Sequence, residues 1–74
     1  MSSVKARGVI VTVNDVRAAK LCTQGAREWF SRHGLDWAGF LAAGLPDAAI
    51  LATGDAMAER AVIAAHIREA AHGK

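Results

Sequence analysis

The fold of this chain is decided by the stretch Thr23-Gln-Gly-Ala-Arg-Glu-Trp-Phe-Ser-Arg-His-Gly-Leu35. Its apolar and aromatic positions recur at i, i+3, i+4 and i+7, which places them on one face of a helix. Those positions are Ala26, Trp29, Phe30 and His33. Thr23 is a favoured residue for the start of the helix, and Gly34 suits the left-handed residue that ends it, with Leu35 as the apolar contact behind. The stretch predicts an amphipathic helix and indicates no chemistry by itself.

A shorter helix is predicted before this one. Thr12 and Asp15 have the spacing of a capping box, although Asp replaces the usual Glu or Gln, and Asn14 is the alternative cap. The helix then runs over residues 13–20 and stops near Leu21 or Cys22. It is two turns long and needs tertiary support.

Three further helices are predicted from the glycines and acidic residues that follow. Glycines at positions 34, 44 and 54 are each followed within three positions by an acid, which is how one helix ends and the next begins. We expect Asp36 to cap a helix over 37–43, Pro46 to open one over 47–53, and Asp55 to cap one from 56 to about 71. Gly39, inside the third helix, is expected to let another backbone approach closely.

The last helix supplies much of the predicted core. Its apolar stripe is assigned to Met57, Ala61, Ala64, Ile67 and Ala71, widened by Ile63 and Ala70. Val62 falls outside the stripe and is expected to be exposed or to meet a partner. The predicted core comprises Val16, Leu21, Trp29, Phe30, Leu35, Trp37, Phe40, Leu41, Ile50, Leu51, Met57, Ile63 and Ile67.

Residues 8–13 are rich in β-branched side chains and predict a short strand. A lone strand leaves backbone groups unpaired, so it pairs with another copy or a partner, or packs on the helices as an extended segment. We interpret residues 1–11 as an extended arm with Val9, Ile10 and Val11 as partner-binding residues, and 12–72 as one helical domain. Deleting residues 1–11 is expected to abolish assembly while the helical domain stays folded. The predicted fold is therefore mainly α, a bundle of about five short helices with an extended N-terminal arm or a single short strand.

Length and composition exclude several classes of protein. Seventy-four residues make at most one domain, which buries only about 60% of its surface, so burial against a partner or a second copy is expected. No apolar run approaches the roughly 18 residues of a membrane span, and the N-terminus lacks the apolar core of a signal peptide. The single cysteine, Cys22, excludes an internal disulfide and fits a reducing compartment. We expect Cys22 to be buried as a small apolar side chain.

The charge is divided unevenly along the chain. Residues 1–35 carry six basic and two acidic side chains, whereas 36–74 carry three basic and five acidic ones. One interpretation is the ordinary solvation of two faces. The alternatives are head-to-tail packing between copies and a basic patch for nucleic acid.

No catalytic residue, metal ligand or cofactor is predicted. His66 and Glu69 have a ligand-like i, i+3 spacing, but neither an HExxH nor a CxxC pattern is present. His33 lies where a helix ends and suits the negative end of the helix dipole. Cys22 has no neighbouring base to activate it as a nucleophile. The acids at 36, 47 and 55 are explained by capping.

Residues 12–35 resemble the opening of a helix-turn-helix of the MerR or excisionase kind. A capped short helix is followed by a turn and a second helix that bears Gln24 and Arg27. The resemblance implies that these two residues face bases in the major groove. Contacts to phosphates would come from Arg17, Lys20 and Arg32. The following residues turn acidic and helical where a basic wing is expected.

A broader resemblance rests on the residues 22–37, on Phe40 and on the segments 44–46 and 51–56. Over about 13–65 the chain is similar to small proteins encoded by tailed bacteriophages and prophages of proteobacteria. The resemblance implies a phage setting, with synthesis in the host cytoplasm, and it assigns no residue a role. We therefore expect a non-enzymatic virion component or assembly factor that contacts other phage proteins or its own copies. A DNA-binding regulator is the alternative, and an inhibitor of a host protein is the third hypothesis.

Overall fold

Five helices and one two-stranded sheet make up the structure, a computed structural model that describes residues 4–72, with His72 described by its backbone alone. The elements in chain order are β1 (Ile10–Val11), α1 (Val13–Ala18), α2 (Thr23–Arg32), α3 (Trp37–Ala43), β2 (Leu45–Pro46), α4 (Asp47–Leu51) and α5 (Ala56–His72). The predicted small helical bundle is confirmed. Residues 1–3 of the predicted arm lie outside the described residues.

The expected caps of α2 and α3 do not form, because Cys22 rather than Thr23 precedes α2 and the Asp36 side chain makes no cap hydrogen bond, but other helix ends follow the local signals. The Thr12 N–H donates to Asp15 Oδ2 over 2.8 Å, as the capping box requires, and α1 ends two residues earlier than predicted. At the end of α2 the N–H groups of Gly34 and Leu35 donate to the carbonyls of Ser31 and Phe30. This is the Schellman pattern, and Gly34 supplies its left-handed residue with φ +67°.

The strand at residues 10–11 pairs within the chain, an arrangement the sequence analysis did not consider. β1 and β2 are antiparallel, with Ile10 opposite Pro46 and Val11 opposite Leu45. Gly44 makes the approach possible, because a Cβ at this position would lie 2.7 Å from the Val11 carbonyl oxygen. The pairing fastens the start of the chain to the junction between α3 and α4.

The core lies where α5 crosses α1 and α4 and where the aromatic side chains of α2 and α3 meet. Phe30 is central to the aromatic part, with ring centroids 4.7 Å from Phe40 and 5.1 Å from Trp37. The buried apolar residues are Val11, Val16, Phe30, Phe40, Ile50, Ala58, Ala61, Val62 and Ala65.

The predicted apolar stripe of α5 is largely wrong, because Ala61 is the one buried residue among its seven members. Val62, expected outside the stripe, is fully buried, whereas Met57, Ile63 and Ile67 are exposed. The helix packs through Ala58, Ala61, Val62 and Ala65, small side chains that allow close approach to its neighbours. Since α5 is apolar around most of its circumference, periodicity alone does not select the buried side. Leu41, also predicted in the core, is half exposed on α3.

Several local expectations are also corrected. Cys22 is exposed rather than buried, because it is the extended residue that precedes α2. Space beside Gly39 is taken by the Asp36 side chain rather than by another backbone. α4 ends at Leu51, since the Thr53 N–H and hydroxyl both donate to the Ile50 carbonyl.

Candidate interaction surfaces

Two buried carboxylates hold the start of the chain against α5. Asp15 on α1 accepts two hydrogen bonds from Arg68. Nε donates to Oδ1 over 2.9 Å, and Nη2 donates to Oδ2 over 3.1 Å. The same Nη2 donates to the Ile10 carbonyl over 2.8 Å. Burial alone would raise the pKa of Asp15, but the hydrogen bonds from Arg68 and Thr12 outweigh it and the pKa is lowered.

Asp47, the first residue of α4, is the second anchor. Its Oδ2 accepts the Arg7 backbone N–H at 2.7 Å and lies 2.8 Å from Nε2 of His66 on α5. Burial acts to raise the pKa of Asp47, and the hydrogen bonds from Arg7 and His66 lower it overall. Oδ1 is buried with no hydrogen-bond partner among residues 4–72.

These anchors were missed by the sequence analysis, which explained both acids by local capping. Asp15 does close α1, but it also binds Arg68, 53 residues away. Asp47 lies 40 residues from Arg7. No local pattern reports a partner at such a separation, so the pairs were not predictable from spacing.

The predicted nucleic-acid-binding residues lie on α1, on α2 or in the turn between the two helices. Arg17, Lys20, Gln24, Arg27 and Arg32 are all exposed, and none of the four cations has an ion pair among residues 4–72. Lys20 makes the turn with φ +64°. The structure thus brings the five residues onto one helix–turn–helix unit.

Burial of acids leaves the surface more basic than the formal charge of +2 indicates. Asp15 and Asp47 are buried, and Asp55 is half-buried. The exposed anions of the described chain are Glu28, Asp36 and Glu69. The exposed cations are Lys5, Arg7, Arg17, Lys20, Arg27, Arg32 and Arg60. Seven exposed cations against three anions favour a partner with negative charge.

The outer side of α5 is an exposed apolar face. Met57 is 54% exposed, Ile63 42% and Ile67 64%. Ala56, Ala70 and Ala71 are exposed beside them. Arg60 is the one charged side chain on this face, which we call the outer α5 face and define by 56, 57, 60, 63, 64, 67, 70 and 71.

A groove of about 690 Å³ runs along one edge of the outer α5 face. Its walls are the N-terminal segment 4–7 on one side and Ile63, Ile67 and Ala70 on the other. The Arg7–Asp47 hydrogen bond fixes this segment beside His66. The face and the groove are therefore continuous.

The three residues predicted to bind a partner through the arm have different environments. Val11 is fully buried in the chain's own core, and Val9 packs against that core. Ile10 is 45% exposed. Of the three, Ile10 is the most exposed, Val9 is half-buried and Val11 has no surface left for a partner.

A cavity of about 310 Å³ opens beside the start of α2. Exposed Cys22 and Met57 border it, and buried Phe40, Ile50 and Ala61 line it. Both carboxylate oxygens of Asp55 are hydrogen-bonded. Oδ2 accepts a hydrogen bond from the Trp29 indole N–H, and Oδ1 accepts one from the Met57 backbone N–H over 2.7 Å. The Trp29 hydrogen bond lowers the pKa of Asp55. The recess thus offers mostly apolar surface.

Residues 4–72 contain no group of three or more His, Cys, Asp and Glu side chains that could hold a metal ion. The His66 side chain is hydrogen-bonded to Asp47. His33, at the end of α2, is exposed, and its ring centroid lies 4.4 Å from that of Trp29. None of the helices in the described part of the chain is long and apolar enough to cross a membrane.

Comparison with protein-family models, with curated proteins and with solved structures gave no match to this chain.

Proposed function

We propose that this is a non-enzymatic protein of a tailed bacteriophage, a virion component or assembly factor, which works by binding another protein chain through the outer α5 face. The phage setting is supported by the resemblance over about residues 13–65. The mode of action is supported by one observation, that α5 is apolar on its outer side as well as on the side that packs in the core.

Exposed Ile63 and Ile67 carry this argument. Contiguous exposed apolar patches mark interaction sites. A domain of this size buries only about 60% of the surface of its unfolded chain, so burial against a partner would add to its stability. Covering the outer α5 face would remove the exposed isoleucines from water.

Mass spectrometry of salt-washed phage particles tests the proposal. The protein is expected at a fixed copy number per particle, or, for an assembly factor, bound to particle precursors that accumulate in an assembly-blocked host. Ile67→Glu is expected to abolish this association, because the charge prevents burial of the face. Leu41→Glu, equally placed on a helix surface but on α3, is the matched control and should associate normally. Free protein throughout the infection, with no particle or precursor containing it, would contradict the proposal.

Nucleic-acid binding is the second candidate, and the excess of exposed cations favours it. Four unpaired cations lie on the helix–turn–helix unit formed by α1 and α2. Gln24 and Arg27 occupy the first half of α2, the part that enters the major groove in such units. The function would then be regulation of phage genes.

Fluorescence anisotropy with duplex DNA distinguishes this candidate. Three phosphate contacts from Arg17, Lys20 and Arg32 predict a salt slope of about −2.7 in log K against log salt. Arg27→Ala is expected to weaken binding to the preferred sequence by about 1–3 kcal/mol. Lys5→Ala removes an exposed charge outside the unit and should have little effect. Equal losses for the two variants would reject base recognition by α2.

A further inference from the structure

The outer α5 face has the spacing of a helix-pairing seam. Residues 56, 60, 63, 67 and 70 alternate by four and three, and all five are exposed. This alternation is the a/d repeat of two helices that pack side by side. The seam residues are Ala56, Arg60, Ile63, Ile67 and Ala70.

We propose that a second copy of the chain covers this seam, with its α5 antiparallel to the first around a two-fold axis at the level of residue 65. The inference rests on the proposed function and names the partner of the same surface. In this register Ile63 faces Ile67 of the second copy, and Ile67 faces its Ile63. A two-fold interface requires such self-complementarity.

Charge selects the antiparallel orientation. In a parallel pair Arg60 would lie in the same layer as Arg60 of the second copy, and two like charges would be desolvated together. In the antiparallel pair Arg60 lies over Ala70 of the second copy, in the last turn of its α5. The carbonyls at a helix C-terminus carry partial negative charge and accept hydrogen bonds from arginine.

The residues beside the seam fit this geometry. Ala64 and Ala71 directly follow the seam positions 63 and 70. On this side of an antiparallel pair, equivalent positions of the two helices lie next to each other. Their small side chains allow the two helix backbones to approach closely. Ala64 lies near the axis, so the closest approach falls at an alanine. Met57, near the start of α5, lies at the level of the end of the second copy's α5 and closes the end of the seam.

Sedimentation equilibrium of the full chain tests whether the second copy is the occupant. The wild-type protein is expected to show twice the chain mass. Ile67→Glu is expected to give a monomer with unchanged helical circular dichroism. Leu41→Glu is the matched control, because Leu41 is 50% exposed but lies on α3, and it should stay dimeric. A wild-type protein that is monomeric up to high concentration, or an Ile67→Glu variant that stays dimeric, overturns the proposal.

The orientation is tested by spin-label distances in a Cys22→Ser background. A label at Ala64→Cys should report a short separation between the two copies. A label at Met57→Cys should report one about 15 Å longer, because each residue of offset from the two-fold axis adds about 3 Å to the separation along the helices, on top of the roughly 10 Å between the helix axes. Equal separations at the two sites would mean a parallel pair and would reject this geometry. Association of a monomeric chain with phage particles would reject the dimer and leave the proposed function standing.

Discussion

Asp15 closes the first turn of α1 and also receives the guanidinium of Arg68 from α5. A buried carboxylate is costly unless it is paired and hydrogen-bonded, and here its oxygens accept Arg68 and Thr12. Arg68 in turn reaches the Ile10 carbonyl. One side chain of α5 thus holds both the strand and the first helix.

Replacing Arg68 by alanine should destabilise the fold far more than an ordinary loss of charge. The change leaves Asp15 buried without its cation, which we expect to cost about 2 kcal/mol, the modest value reflecting the partial exposure of Arg68. The thermal midpoint should then fall by about 10 °C. Arg27→Ala, a loss of an exposed arginine with no ion pair, is the control and should shift the midpoint little. Similar shifts for both variants would contradict the role given to Arg68.

Acid should unfold the protein through its aspartates. The pKa values of Asp15, Asp47 and Asp55 are lowered in the folded state. A carboxylate with a lowered folded pKa stabilises the fold fully above its unfolded pKa of about 3.9, and this contribution is lost as the pH falls through the folded pKa. The free energy of unfolding in urea should therefore decrease from about pH 4 downward. Asp47→Asn should be less stable at pH 7 and should show a shallower decrease; an unchanged slope would contradict the assignment.

At the scale of elements, the short sheet depends on one glycine. Gly44 has φ +78°, and a Cβ there would lie 2.5 Å from Ile10 Cγ2 and 2.7 Å from the Val11 carbonyl oxygen. The Val11 backbone has little room to move away, because the Val11 side chain is fully buried. The sheet and the end of α3 are therefore coupled through this position.

Gly44→Ala should separate β1 from β2. The strained backbone and the contact with β1 predict a loss of about 2 kcal/mol in unfolding free energy. Gly25→Ala is the opposite case, since Gly25 lies within α2 and a Cβ there meets Cys22 Cβ at an ordinary 3.9 Å. It should stabilise the protein by about 0.5–1 kcal/mol. Chemical denaturation of both variants measures whether the free energy of unfolding falls or rises. A Gly44→Ala variant that is more stable than the wild type would refute the close approach of residue 44 to β1.

Elements whose signals are local were predictable from the sequence. Gly34 ends α2 as expected, and Asp55 begins α5 as expected. The buried side of α5 was not predictable, because Val62 and Ile63 are neighbours of similar polarity and only packing against α1 and α4 decides between them. The β1–β2 pair was missed because it joins residues 34 and 36 positions apart through two-residue strands. The basic residues of α1 and α2 were placed correctly on the surface, since charge alone determines their exposure.

At the scale of the whole molecule, the N-terminal segment belongs to the fold that the helices make. Val11 is in the core, the Arg7 N–H binds Asp47, and the Ile10 carbonyl binds Arg68. The earlier expectation that the helical domain keeps its fold without residues 1–11 does not follow from these contacts. The segment is better described as the edge of the domain.

Deletion of residues 1–11 should therefore lower the stability of the helices, and circular dichroism during heating measures it. A point substitution separates this effect from loss of chain length. Val11→Ala should cost roughly 2 kcal/mol, because it removes two methyl groups from a fully buried site. Ile10→Ala, one residue away but 45% exposed, should cost clearly less. A deletion variant with wild-type thermal stability would show that the segment contributes nothing to the fold.

The links from Ile10 and Asp15 to Arg68 also set the order of events during synthesis. The ribosome delivers the strand and the first helix long before it delivers the arginine that holds them. Until residue 68 has left the exit tunnel, Asp15 has no cation and Ile10 lacks its bond to α5. β1 and α1 therefore gain these contacts with α5 only after the last helix has been made.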